Sequence, residues 1–324
     1  VKTARDRCGS ALNYALLLLL VVPLVSRDCE ASQNVKVGVV ESRHMKAYDP
    51  ARVGFADAMR SRGYNVQFLE YTLGTNPASA SGLAAFVAQS DPGILLALGT
   101  DAAKAVKDAN LTVPSIFSMV SEPGQSGLLN DGAYGGTPMT GACLDVPVEE
   151  QFSSLLAVVP KVQRIGVIYC PEESQFLVDE ATSAANRMNV GLVTYPIHSE
   201  ADVSNALSAL RPKIDALWLV SDRIVLTTQS LQYVFLFAFQ TNLPLMGLSD
   251  HFVKMGALFA VGPDYEDVGR QSGEIAAQLL DGRDASELPV AAPRKVLLSL
   301  NLRTAEIIGL RIPEGVVKKA NSVY

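Results

Sequence analysis

Two stretches of the chain, LLALGTDAAKAV (Leu95 to Val106) and LWLVSDRIVL (Leu217 to Leu226), break an apolar run at a small polar pair and then turn helical. The same break recurs elsewhere. Glu41 and Ser42 close or follow VKVGVV, Ser118 and Ser121 fall within and after VPSIFSMV, Tyr169 and Ser174 follow RIGVI, and Asp250 follows LPLMGLS. Where a strand hands over to a helix, the helix N-terminus offers free N–H groups and a partial positive charge, which suit a carboxylate near Thr100. The carboxylates of Asp222 and Asp250 suit an ammonium group. Together these groups are equipped to hold a zwitterion such as an amino acid. The plainer role of Thr100, Ser174 and Asp222 is N-capping, in which the side-chain oxygen accepts the first N–H groups of its own helix. Trp218, inside DALWLV, reads as a core residue.

Those positions need elements to hold them. From Val35 onward, short β-rich apolar runs alternate with helical periodicity. VKVGVVE leads into DPARVGFADAMRSRG, where Asp49 is placed to cap, Pro50 to open the helix, Val53, Ala56 and Met59 to share one face, and Gly63 to stop it. A second pass begins at Arg164: RIGVIYC parallels VKVGVVE, and NLPLMGLSD parallels TVPSIFSMVSE. Repeated strand and helix predict two α/β lobes, each a doubly wound, mainly parallel sheet covered on both faces. Between them, GGTPMTGACLDVP (Gly135 to Pro147) gathers glycine and proline as a boundary does. A further helix and strand near the C-terminus can cross back between lobes and form a multi-strand hinge. In parallel sheets ligands lie beyond the carboxyl ends of the strands. Two such edges facing each other make a cleft, and that explains why the break occurs twice.

Composition narrows the field. The chain has 324 residues, 48% of them apolar, and 27 Lys and Arg against 33 Asp and Glu for a net charge of −6. That apolar fraction is globular, and without a basic stripe a nucleic-acid partner is disfavoured. Lys2, Arg5 and Arg7 precede ALNYALLLLLVVPLV, an apolar run shorter than the ~20 residues of a spanning helix, and SRDCEASQN follows it. Residues 1–31 therefore read as a secretory signal, with a periplasmic chain beginning near Ser32. Arg27 and Asp28 stand where a lipoprotein signal needs small residues, which disfavours lipid anchoring at Cys29. Beyond the signal only Cys143 and Cys170 remain; export permits a disulfide, and the sequence leaves it open. His44, His198 and His251 have no ligand-like spacing, so neither a metal nor another cofactor is expected.

LLALGTDAAKAV, PSIFSMVSEPGQSGLL, RIGVIYCPEES, LSDHFVKMGALFAVGPDYEDVGRQSGEIAAQLLDG and LNLRTAEIIGLRIPEG are similar, in this order, to the ABC-transporter solute (substrate)-binding proteins, a family that includes tryptophan and tyrosine binders. The resemblance runs from Val35 to the C-terminus. It implies a type I periplasmic-binding-protein fold with three hinge crossings, residues 35–141 and 263–289 forming lobe 1, and residues 142–262 and 290–324 forming lobe 2. It also implies a monomer that closes on a small solute and is read by an ABC permease with its ATPase subunit, without chemistry on the solute. The implied site loops are those at Ser42, Thr100, Ser121, Tyr169, Ser174, Asp222 and Asp250, which the strand ends also indicate. Two motifs depart from the family. Ser121-Glu122-Pro123 stands where many relatives have Ser-Asp-Pro, and Tyr169-Cys170-Pro171 where they have Tyr-Asn-Pro. Two readings compete with transport: a ligand-sensing receptor component, and a cofactor-independent racemase using Cys143 and Cys170 from opposite lobes.

Overall fold

The computed structural model describes residues 32–74, 80–129 and 139–324. The signal read at residues 1–31, with Cys8 and Cys29, lies outside them. The first half of the chain builds strands β1 (Gln33–Glu41), β2 (Tyr64–Thr72), β3 (Ile94–Leu98), β4 (Ser115–Val120) and β5 (Thr140–Cys143). Helices α1 (Asp49–Ser61), α2 (Ala80–Ser90) and α3 (Thr100–Asp108) connect them. In the second half come α4 (Val148–Val158), β6 (Arg164–Tyr169), α5 (Pro171–Arg187), β7 (Gly191–Pro196), α6 (Val203–Leu210), β8 (Ala216–Trp218) and α7 (Thr228–Gln240). They are followed by β9 (Leu245–Gly247), α8 (Asp250–Met255), β10 (Phe259–Pro263) and α9 (Tyr265–Leu280). The chain ends with β11 (Val296–Leu300), α10 (Leu302–Ile307), α11 (Glu314–Val317) and β12 (Ser322–Val323).

The first sheet has the order β2-β1-β3-β4-β5, all parallel. Within the second, β7-β6-β8-β9-β10 repeats that order in parallel, and β11 and β12 extend it, β11 antiparallel to β10. The duplication seen in the sequence is thus a duplication of topology. All five residues of β3 are buried, because strand alternation sends Leu96 and Leu98 to the face under α1 and α9 and Leu95 and Ala97 to the face under α2 and α3. Burying each large apolar side chain contributes about 1.5–3 kcal/mol. In the second sheet, Val167 and Trp218 face α4 and α5, while Ile168 and Leu217 face α6 and α7.

Although it follows β10 of the second sheet, α9 packs on α1 of the first. Backbones touch there: a Cβ on Gly54 would lie 1.8 Å from the Glu266 carbonyl oxygen, and one on Gly269 would lie 1.8 Å from that of Ala51. This contact decides which face of α1 is buried. Ala51, Gly54, Phe55, Ala58 and Met59 are inside, whereas Val53 is 54% exposed, so the expected Val53–Ala56–Met59 face is corrected. A short 3-10 turn over Lys46–Tyr48 leads into the helix, and Asp49 is its first residue instead of its cap.

Among the described residues three passages join the lobes: β5 to α4, β10 to α9, and the stretch entering β11. Strand β5, which straddles the 141/142 division expected from the sequence, belongs to the first sheet. The third passage is stitched to it, since the Cys143 N–H donates to Ala291 O (2.9 Å) and the Ala291 N–H to Gly141 O (2.8 Å). Gln271 Nε2 donates to Ala292 O at 2.8 Å, and the Arg294 guanidinium grips Asp267 and Glu274, so α9 is anchored to the same passage.

Candidate functional site

Strand β4 ends abnormally. Met119 has φ +59° and Glu122 φ +49°, and the pairing of β4 with β5 shifts register between Ser118 and Val120. Positive φ at non-glycine residues costs about 1–3 kcal/mol each, so surrounding contacts must enforce it. Here the Glu122 N–H donates to both oxygens of Asp145, at 2.9 and 3.1 Å. A bulge of this kind re-aims the residues beyond it. It turns Ser121 through Gln125 toward the second lobe, where they meet the passage from Cys143 to Val148.

These two segments form one side of a cavity of about 550 Å³, within the range of small-molecule sites. The opposite side comes from lobe 2: Phe176, Leu177 and Glu180 of α5, Trp218 at the end of β8 with Leu219 through Ser221 beyond it, and Leu248 and Val261. Tyr265 and Ala292 contribute from the other two passages. Trp218 is both core and wall. It packs edge-on against Phe152, with ring centres 5.1 Å apart, and its Nε1 donates to Gln151 Oε1 at 2.8 Å, which fixes the indole where it borders the cavity.

Charge in the cavity is acidic. Burial raises the Glu122 carboxyl above its ordinary value, and the charges of Asp145 and Glu173 push the same way. Asp145 is also raised by burial, opposed by the Glu122 N–H and the Cys143 thiol and reinforced by Glu180. Burial lifts the Cys143 thiol to about 11. Both cysteines are free: Cys143 sits by Asp145, and Cys170 donates to Glu172 Oε2 at 2.9 Å.

The residues picked out from the sequence divide sharply. Ser121 lines the cavity. Asp222, 1% exposed, instead accepts from the Cys170 N–H (2.7 Å), Ser174 Oγ (2.9 Å), Ile224 N–H (3.0 Å) and Val225 N–H (3.2 Å), tying the β6–α5 turn to the loop after β8. Ser174 is therefore a buried partner of Asp222. Tyr169 is buried with its hydroxyl on Gln175 Oε1 at 3.0 Å. Asp250 accepts from Ser299 Oγ (2.9 Å) and Tyr324 OH (2.7 Å) and pairs with Lys254 (2.7 Å). Although burial opposes it, these partners hold its carboxyl below the usual range.

On lobe 1, Thr100 is the first residue of α3, after Gly99 at φ +85°, and Ser42 is a half-buried loop residue beyond β1. Glu41 is 3% exposed; His44 Nδ1 lies 3.4 Å from its Oε1, and its Oε2 has no hydrogen-bond partner. Ser118, 1% exposed, likewise has an unpartnered Oγ. The cavity residues absent from the sequence reading of the site, Asp145, Gln151 and Glu180 among them, lie on hinge passages and helix faces instead of strand ends. Of these only Asp145 has a signal in the sequence, since it falls in the stretch from Gly135 to Pro147, whose composition marks a boundary and nothing more.

Solved structures share this architecture. One is a conserved domain protein from Vibrio cholerae, 28% identical, covering 90% of this chain and 99% of its own, with a TM-score of 0.61. Another is the ligand-free, open structure of a substrate binding protein with adhesive properties from Clostridium difficile, 25% identical over 89% of this chain and 99% of that one, with a TM-score of 0.72. A tyrosine-binding protein of Clostridioides difficile (strain R20291) is 24% identical over 292 residues, 88% of this chain and 84% of the relative. The family model described as ABC transporter substrate binding protein matches residues 36–324, from the middle of β1 to the last residue. That match, carried by two lobes of one topology, makes this chain a member of the ABC transporter substrate-binding proteins, with their type I periplasmic-binding-protein fold.

Proposed function

We propose that the chain is the extracytoplasmic receptor of an ABC importer, enclosing a small ammonium-bearing solute of the amino-acid class between its lobes by hinge closure. One observation carries this reading: the cavity of about 550 Å³ is walled by both lobes and floored by the passages that join them, so its shape changes whenever the lobes rotate. The tyrosine-binding relative supports an amino-acid-like solute. Trp218, Phe176 and Tyr265 give the cavity an aromatic wall. Ser121, Gln151 and Ser221 supply neutral polar contacts, and Glu122 and Asp145 take the ammonium group. The loops at Tyr169, Ser174, Asp222 and Asp250 hold the edges in place, and those at Glu41, Ser42, Thr100 and Ser118 form the rest of the lobe 1 edge.

Closure arises from differential contact. A solute touching both lobes stabilises the conformation in which both touch it, and a permease recognises that conformation. The ATPase subunit supplies the energy, and the solute leaves unchanged. A two-thiol enzyme needs both cysteines at the solute, whereas Cys143 lines the cavity and Cys170 does not.

Small-angle scattering tests closure. Solutes that raise the melting temperature should also reduce the radius of gyration, and at a hundred times the dissociation constant the stabilisation is about 2.7 kcal/mol. A stabilising solute that leaves the scattering curve unchanged would rule out hinge closure.

A further inference from the structure

We infer that Gln151 couples the solute to the hinge: it is the positioning residue through which contact on Trp218 turns the first passage between the lobes. This rests on the proposed solute site and names the part that converts binding into closure.

Each passage changes lobe over a few residues. On the first, Leu144 packs with the core of lobe 1 and gives its N–H to Val120 O at 2.8 Å, whereas Val146 packs with the core of lobe 2. Asp145, between them, is still held by lobe 1 through the Glu122 N–H at 2.9 Å. The pivot of this passage therefore lies at Asp145 and Val146. On the second passage, Val261 belongs to the lobe 2 core and Tyr265 packs on that of lobe 1. On the third, Ala291 packs with lobe 1 and Leu298 with lobe 2. These last two are clamped to each other, since the Asp264 N–H donates to Lys295 O (3.0 Å) and the Asp264 carboxylate pairs with Lys295 Nζ.

Gln151 reaches the first pivot from α4 of lobe 2. Its Nε2 donates to Val146 O and its Oε1 accepts from Trp218 Nε1, both at 2.8 Å. An indole N–H only donates and a carbonyl oxygen only accepts, so the amide fits one way round. Both ends of this connection are stiff. Phe152 packs edge-on against the indole, with ring centres 5.1 Å apart. Val146 is β-branched and precedes Pro147, which disfavours helical backbone there and narrows its torsions. A displacement of the indole is thus passed to Val146 O instead of being absorbed, and the torsions left to yield are those of Asp145. Trp218, Gln151, Asp145 and Val146 all line the cavity, so one solute touches the connection along its length. Packed and hydrogen-bonded chains of this kind carry coupling between a site and a moving element.

Measuring binding and closure separately tests this. The protein from Ser32 onward, which forms one compact unit, is titrated calorimetrically with L-tyrosine, L-tryptophan and L-leucine. The radius of gyration is then measured at saturation with each amino acid that binds. Gln151→Leu keeps the bulk and removes both hydrogen bonds, so it should bind about tenfold more weakly. Once saturated, it should also lose most of the decrease in radius of gyration that the unsubstituted protein shows. Trp218→Phe cuts the connection at its other end while keeping a ring against Phe152, and should lose the decrease to the same extent. The double variant should close no less than either single one, because both substitutions break one connection. Melting temperatures confirm that each variant folds, and either single variant carries the test alone. A side chain that merely shaped the wall would weaken affinity and leave closure at saturation complete. Full closure of saturated Gln151→Leu or Trp218→Phe would therefore overturn the coupling and leave the solute site standing. If no amino acid binds the unsubstituted protein, or binding leaves its scattering unchanged, the solute reading fails and the coupling falls with it.

Discussion

Asp222→Ala should lower the stability of the protein by about 3–5 kcal/mol, read as a shift of the urea midpoint. The carboxylate is 1% exposed and takes four hydrogen bonds, three from backbone N–H groups and one from Ser174. Truncation leaves those donors buried with nothing to meet, at about 1–3 kcal/mol for each group that water does not reach. Asp222→Asn retains a single acceptor oxygen and should lose about half as much. At temperatures where the alanine variant is still folded, solute affinity should change little, because Asp222 does not line the cavity. A large loss of affinity with unchanged stability would instead make Asp222 a ligand group and displace Glu122 and Asp145 from that role.

The second large effect concerns the joint between α1 and α9. Gly269→Ala places a Cβ 1.8 Å from the carbonyl oxygen of Ala51, a backbone atom that cannot rotate away. The helices must then separate, and overpacking of this kind costs about 1–3 kcal/mol, and more where a backbone atom cannot yield. Gly54→Ala meets Glu266 O at the same distance from the other side. The double variant should cost less than the sum of the two, since one separation relieves both clashes. Because α9 carries the second hinge passage, thermal melts of these variants should also show a broadened transition if the lobes lose their common anchor. An unchanged melting temperature in Gly269→Ala would mean that the two helices do not approach as closely as described.

These two sites mark how far the sequence could be read. Strand and helix order was legible because β3 and its counterparts are short uninterrupted apolar runs bounded by turn residues, and the repeat of RIGVIYC after VKVGVVE exposed the duplicated topology. The buried face of α1 was not legible. Its partner, α9, arrives from far along the chain, and the contact uses glycines, which carry no hydrophobic signal. Asp222 and Asp250 were correctly located at strand ends, but whether a carboxylate faces a ligand or its own protein depends on which donors surround it. Ser174, Ser299 and Tyr324 reach them only in the folded chain. The segment from Cys143 to Val148 was hidden for a different reason: a hinge passage and a domain boundary share one composition, and in this fold the boundary is also the floor of the cavity.

Trp218 offers the most direct test of the central claim, that a solute binds between the lobes. It is the only tryptophan in the chain, it lines the cavity, and Gln151 holds its indole N–H at 2.8 Å. Its emission can therefore be titrated without a label. A saturable change in Trp218 emission is expected with any solute that raises the melting temperature, following the same isotherm as a calorimetric titration of that solute and weakened in Gln151→Ala. If a solute binds by calorimetry while Trp218 emission stays constant across saturation, the solute lies elsewhere and the inter-lobe site is contradicted.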